Sequence, residues 1–407
     1  MKRRFWCVLW LCGALVSPAF SEEKTLSLDE TIAIALKNNP DILRSEKEIE
    51  AARARTLQLG AVPNPELVFS NEGIPFRSGR GEREFSLGLR QLIEFPGKRG
   101  LRRAIGQAGE KISEAALESE RLLLVTRVKK AYLRAAYSEM ALDHLHSILE
   151  TVGEYQKMAA IRFEAGGASS IDVLRGRLEE VRVQNEIIEA KRRLQEDKAS
   201  LWLEMGAETP ATYPDLEELS FAPLTKGLEE LRKAAGERPL LRALRQTLEL
   251  RTTSVKLARK SLYPDLRMGL FYPSLHASGW GFELELSIPL WSKSTQGLVL
   301  ESEALREQGA ISLDYAARKI TNRVETTYAA ARAASDQVSL IEGSLLKDAA
   351  DLLSAGITNY QYGRIDSLNL FDIYRMHKES RLEYLRALLN YHLSLAELEA
   401  AGEAPDA

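Results

Sequence analysis

The 407-residue chain carries 55 basic and 58 acidic side chains, a near-balance that leaves no broad basic face for nucleic acid. Aromatics are 7% and charged residues 28%, a mixture that suits long solvated helices better than one large globular core.

The chain begins with an export signal: Lys2, Arg3 and Arg4, then apolar Phe5 to Val16, then the small-x-small set Ala19-Phe20-Ser21. Cleavage is expected after Ser21. Both cysteines, Cys7 and Cys12, lie in the segment removed, so the mature chain has no disulfide and no cysteine metal site. Bulky Leu11 argues against lipidation at Cys12. No later apolar run reaches about 18 residues, so any entry into a membrane must use strands.

Ser27-x-x-Glu30 is a capping box that starts a short helix, and Asn39-Pro40 opens the next, near 40–60. Two strands follow, Glu66–Phe76 and Glu84–Phe95; in the second, Phe85, Leu87 and Leu89 oppose Ser86, Gly88 and Arg90. Pro96-Gly97 ends the strand, and a long helix runs from about 98 to 164. Gly166-Gly167-Ala168-Ser169 turns the chain into a returning helix, about 169–206. A linker, 211–230, leads to helices near 240–260, 296–361 and 366–402 and to strands Asp265–Pro273 and Ser278–Ile288. In the last strand Trp280, Phe282, Leu284, Leu286 and Ile288 share one face, and Glu283, Glu285 and Ser287 the other. No proline occurs from Gly97 to Thr209 or from Leu290 to Ala404, so both long stretches lack a helix breaker.

The chain is written twice. Pro40 recurs as Pro239, Pro65-Glu-Leu as Pro264-Asp-Leu, Phe85-x-Leu-x-Leu as Phe282-x-Leu-x-Leu, and Tyr132 as Tyr328. Phe163-x-x-Gly-x-x-x-Ser-Ile-Asp-Val-Leu returns as Tyr360-x-x-Gly-x-x-x-Ser-Leu-Asn-Leu-Phe. The unit is roughly 200 residues. Residues 22–210 form the first repeat, 231–402 the second and 403–407 a tail. The fold is therefore mainly α with a small β part, in a duplicated helix–strand–strand–long helix–turn–helix unit. At ~1.5 Å per residue the first long helix spans ~100 Å, close to the ~57 Å and ~30 Å of the two shorter ones together. Each unit can be a rod, one long helix beside two stacked end to end.

Strands near ten residues long suit a tilted membrane crossing, although a soluble sheet packed on a helix has the same alternation. Four strands cannot close a barrel, and an open edge in lipid leaves N–H and C=O groups unpaired. A membrane role thus requires several copies, two for eight strands or three for twelve.

Catalytic and cofactor chemistry finds no support. Pro-Gly-Lys between strand and helix suggests a phosphate loop, but Ile93 stands where a glycine is needed and Arg99 where a hydroxyl is needed. The five histidines, 144, 146, 276, 377 and 392, show no paired ligand spacing and are expected on exposed helix faces. No metal, cofactor or catalytic residue is assigned. Lys98, Arg99, Arg102 and Arg103 have the wrong sign for a helix N-terminus and form either a membrane rim, against lipid phosphates, or a solvated basic face.

The ordered set Leu28-Asp-Glu…Asn39-Pro40, Pro63-Asn-Pro65-Glu-Leu, Pro96-Gly-Lys-Arg99 and the Phe163/Tyr360 motif resembles the TolC family of outer-membrane efflux channels over the whole mature chain, with details of the heavy-metal branch. The resemblance implies a homotrimer with a twelve-stranded barrel in the outer membrane and a coiled-coil tunnel across the periplasm. It implies a passive duct that opens on docking with a periplasmic adaptor and an inner-membrane transporter. It also places adaptor docking at Gly166, Gly167, Ala168 and Gly363, Arg364, Ile365. The tunnel constriction falls at Asn369 and Asp372, with Asp172 and Arg175 at the same offsets in the first unit; Asn369 departs from the acid of the family pattern. A soluble periplasmic coiled-coil scaffold with a private β-domain is the alternative.

Overall fold

A computed structural model describes residues 25–72, 84–210, 212–272, 279–288 and 293–402. The expected export signal and tail lie outside these residues, as do 73–76, Pro273 and Ser278 of the expected strands.

The first half runs α1 (Leu28–Asn38), α2 (Pro40–Gly60), β1 (Glu66–Glu72), β2 (Glu84–Ile93), α3 (Lys98–Glu164) and α4 (Ser170–Met205). The second half runs α5 (Leu228–Ala235), α6 (Pro239–Lys260), β3 (Leu266–Tyr272), β4 (Gly281–Leu286), α7 (Lys293–Leu340), a π turn (Ile341–Leu345), α8 (Leu346–Gln361) and α9 (Ser367–Gly402). The capping box at α1 forms, with the Glu30 N–H donating to Ser27 Oγ at 3.2 Å. Pro40 sits at the first position of α2, where its missing N–H costs nothing.

The end-to-end stacking is present in both halves. Asn39 Nδ2 donates to the Glu204 carbonyl at 2.8 Å, joining the end of α4 to the start of α2. Arg238 Nη1 donates to the Ala401 carbonyl at 2.8 Å, joining α9 to α6. Both α2 and α4 lie along α3; α6 lies along α7, and α9 along α7 and α8. The two rods are held side by side by α3 against α6 and α9, with Lys129–Glu399 at 2.7 Å and Lys130–Glu397 at 2.6 Å across the seam. Leu117, Leu124, Val128, Ala131 and Ala135 of α3 are buried in one cluster, and Val324, Ala331, Val338 and Ile341 in two others.

At mid-height the chain between the halves crosses the rods. Tyr132 Oη donates to the Leu26 carbonyl at 2.9 Å and accepts from the Glu217 N–H at 3.0 Å. Lys198, buried, reaches Glu139 at 2.6 Å and the Pro214 carbonyl at 3.0 Å. Leu231 and Ala235 of α5 pack with Val324 and Leu398.

The four strands form one antiparallel sheet in chain order, with β2 against β3 (Leu89 opposite Leu270) joining the halves. No described helix packs across either face of this sheet, so the alternative of a soluble sheet laid on a helix is not the one realised. The strands stop earlier than their alternation suggests. Beyond Ile93 the Phe95 N–H donates to Asp265 Oδ1 at 2.7 Å instead of to a ladder partner. The second long helix also differs from expectation: it is interrupted by the π turn at Ile341–Leu345.

Candidate functional site: hairpin tips, membrane rim and strand face

The two helical hairpins end in matching turns. Gly166 and Gly363 adopt φ of 73° and 72°, left-handed values that a side chain resists. In the first turn Gly167 N–H donates to the Arg162 carbonyl at 2.7 Å; in the second Arg364 N–H donates to the Asn359 carbonyl at 2.8 Å. Both pairs close the last helical carbonyls. Gly166, Gly167 and Gly363 are exposed, as is Arg364, while Ala168 and Ile365 are half-buried. Behind the tips Tyr155, Ala159, Tyr360, Leu370, Phe371 and Tyr374 form a closed core.

Residues that sequence reasoning missed lock the tips together. Arg162 Nη1 donates to the Tyr360 carbonyl and Nη2 to the Gly167 carbonyl at 3.1 Å, and its guanidinium lies 4.7 Å from the Tyr360 ring centre. Ser367 Oγ donates to Asp172 Oδ1, and Arg175 Nη1 donates to Ser367 Oγ at 3.2 Å. Asp172 and Arg175 are thus brought together, on Ser367 of the other hairpin. Asn369 and Asp372 are not part of that group: both are exposed, and Asp372 pairs with Arg375 one turn on. The available signal was a mismatch beside the repeated motif, Arg162 in the first copy against Asn359 in the second.

The four basic residues at the start of α3 divide. Lys98 is buried and holds Asp265 Oδ1 at 2.8 Å and the Tyr263 carbonyl at 3.0 Å. Arg102 grips Glu94 with both Nη atoms and donates to the Leu59 carbonyl at 3.1 Å. These two are used within the protein, so the dipole penalty at this helix start is offset by strand-side carboxylates. Arg99 and Arg103 remain exposed, although Arg99 Nε also donates to the Gly60 carbonyl at 2.6 Å.

The strand register sorts the sheet into two unlike faces. Leu67, Phe69, Phe85, Leu87, Leu89, Leu270, Tyr272, Phe282, Leu284 and Leu286 share one face, and all are exposed. The other face carries Arg90 paired with Glu283 at 3.1 Å and Arg267 with Glu285 at 3.0 Å, and Phe271 lies over Gly88. A Cβ at Gly88 would stand 2.2 Å from that ring, so glycine is required there.

The histidines depart from their expected exposure. His146 is exposed, but His144, His377 and His392 are half-buried, and His276 lies outside the described residues. His144 on α3 and His377 on α9 face each other with ring centres 6.3 Å apart. Burial, with His377, Arg381 and Lys378 nearby, pushes His144 down to about 4. Among the described residues no group of three or more His, Cys, Asp or Glu is placed to hold a metal ion.

A family model described as outer membrane efflux protein matches residues 31–207 and 231–402, the two duplicated halves. The chain belongs to this family. It is 21% identical over 383 residues to the cobalt-zinc-cadmium resistance protein CzcC of Cupriavidus metallidurans, covering 92% of this chain and 90% of that one. It is 25% identical over 355 residues to the alkaline protease secretion protein AprF of Pseudomonas aeruginosa, covering 78% and 72%. Its fold is similar to that of the CusC channel, with TM-score 0.79, 19% identity and coverage of 93% and 92%. As an outer membrane efflux protein, the chain is a channel component of the outer membrane with its helical part in the periplasm. No described helix is long and apolar enough to cross a membrane.

Proposed function

We propose that three copies complete a twelve-stranded barrel continued by a tunnel of paired rods, a passive exit duct. The observation that carries this is the sheet: its order leaves one edge of β1 and one of β4 without a partner among the described residues, and one whole face is apolar and exposed. Unpaired edges are not tolerated in hydrocarbon, so β4 of one copy must meet β1 of the next. Three copies supply twelve strands, enough for an open bore lined by the Arg90, Glu283, Arg267 and Glu285 face. Sizing in detergent, followed by conductance in planar bilayers, tests the reading. A trimer with steady conductance is expected; a water-soluble monomer would end it.

The exposed glycine turns are the docking points for the adaptor, which in turn brings the transporter. A small residue at Gly167 lets a partner helix approach the backbone, and a Cβ there has room, 3.6 Å from the Arg162 carbonyl. Gly167→Trp is therefore expected to preserve trimer and conductance while abolishing adaptor capture. Equal capture by the variant would move docking elsewhere. Asp172, Arg175 and Ser367 hold the constriction shut by joining the two hairpins, and Asp372 contributes less because Arg375 already neutralises it. Cargo selection is assigned to the transporter, since a passive bore has no need to bind what it passes. The near-full-length match to CzcC favours metal-ion efflux over protein secretion as the pathway served.

A further inference from the structure

Beneath the strands the second half carries a cleft of about 1020 Å³ between α6 and α7 that none of the site residues above accounts for. Lys256, Arg259 and Lys260 line it together with Leu262, Tyr263 and Leu300. Arg259 donates to Glu303 at 2.6 Å, and Lys260 donates to the Pro96 carbonyl at 2.9 Å while lying 5.5 Å from the Phe95 ring centre. Lys256 is exposed, with no acceptor among the described residues. Leu262, Tyr263 and Leu300 are also exposed, and Tyr263 stacks on Phe95, just beyond the end of β2, with ring centres 4.6 Å apart.

The cleft opens on the outer side of the rods. Glu303 and Glu325 sit on α7 about six helical turns apart, which returns them to nearly the same side. Glu325 accepts from Arg232 of α5 at 2.5 Å. The segment containing α5 crosses the rods at mid-height, and a conducting bore cannot be crossed by a helix. The α5 side is therefore the outside, and so is the cleft.

The duplication adds an independent observation. The first half has an equivalent cleft of about 540 Å³ between α2 and α3, lined by Arg53, Leu57, Gly60, Arg99 and Arg103. By the repeat alignment, Arg99 and Arg103 become Gln296 and Leu300, whereas Leu57 and Gly60 become Lys256 and Arg259. The two long-helix cations are replaced by two on the shorter helix, where the first half has Arg53, and each cleft has one acid, Glu110 or Glu303, against three cations at the same height. What is kept is positive charge at one level, beside apolar and aromatic side chains. That combination suits an amphiphile with an anionic head.

We propose that the α6–α7 cleft binds the phosphate headgroup of an anionic glycerophospholipid from the inner leaflet, with its acyl chains against Leu262, Tyr263 and the strand face. This rests on the barrel reading. The test is native mass spectrometry of the full mature assembly released from detergent and titrated with dioleoylphosphatidylglycerol. Lys256→Gln/Arg259→Gln is expected to retain the lipid about thirtyfold more weakly, two cations near a lipid surface being removed. The oligomer mass should not change, and Lys256→Arg should bind like the parent. Unchanged retention in the double variant overturns the proposal. Displacement of the lipid by millimolar inorganic phosphate would instead mark a free-anion site and overturn it too. Failure of the barrel reading appears separately in the same spectra, as a monomer in place of the assembly.

Discussion

Asn369 shows how a single position can mislead. In the first half Ser169 caps α4 and Asp172, three residues on, closes the capping box, with Ser169 N–H donating to Asp172 Oδ2 at 3.0 Å. In the second half the acid stands at the cap itself: Asp366 Oδ1 accepts the Asn369 N–H at 2.8 Å. The carboxylate at this turn is relocated rather than lost. Gly206 gives the sharpest test at this scale. It sits at φ 63°, and a Cβ there would stand 2.8 Å from Asn39 Cα, where α4 meets α2. Gly206→Ala is expected to cost ~2–4 kcal/mol, from the left-handed backbone and the overpacking together, read as a lower melting temperature by circular dichroism. Gly109→Ala, inside α3 with nothing within 4 Å, should instead stabilise by ~0.5–1 kcal/mol. His144 supplies a pH dependence. Its folded value, about 4, lies below the ordinary 6.5, so the unfolded chain takes up the proton first as the pH falls. Its contribution is complete above about pH 6.5 and lost progressively toward pH 4. His144→Gln should flatten the fall in melting temperature across that window. The rim cations show the limit of reading residues alone: Lys98 and Arg102 meet Asp265 and Glu94, and a neighbour list does not reveal that β3 brings a carboxylate to the start of α3.

Among the elements, the helices were legible because their signals are local and repeated: caps at Ser27 and Asn39, proline at Pro40 and Pro239, and more than a hundred residues free of breakers in each half. Strand existence and facing were legible from alternation, but the end of β2 was not, because the Phe95 N–H turns to the Asp265 side chain rather than to the ladder. The π turn went unread, although the repeat does record it. Tyr132 aligns with Tyr328 and Phe163 with Tyr360, so the second half carries one residue more between its pair, in the stretch that holds Ile341–Leu345. A single π turn absorbs one extra residue while leaving the helix beyond it in phase. Deleting Gly343, which has nothing near it, should convert the turn to α-helix with little loss of stability. Deleting Ala350 from α8 should rotate the tip by ~100° and expose Tyr360 and Leu370. Melting temperature and protease resistance at the tip separate the two; equal damage from both deletions would contradict the account of the turn.

At the scale of the molecule, the proposed ring accounts for a contrast between the rods and the sheet. The rods bury their apolar seams within one chain, while the sheet, among the described residues, leaves two edges open and its apolar side exposed. A soluble chain would reverse that polarity, hiding Leu67, Leu89, Leu270 and Leu284 and exposing Arg90 and Glu283. The two faces therefore should respond oppositely to substitution. Leu89 is paired with Leu67 and Leu270 near the middle of the sheet and, in the proposed barrel, would face lipid. Leu89→Arg places a charge there at ~2–4 kcal/mol per copy, and a trimer multiplies that cost threefold. Assembly in the outer membrane should collapse, leaving monomer in the periplasm. Glu285→Gln, on the opposite face, would meet water in the proposed bore and only free Arg267. That variant should assemble at the parent's level, and its conductance should shift toward anions, because three unpaired guanidinium groups then face one aqueous path. Heat-modifiable mobility in gels reports assembly, and reversal potentials in a salt gradient report selectivity. If Leu89→Arg assembled normally while Glu285→Gln failed to, lipid and water would have to exchange sides of the sheet.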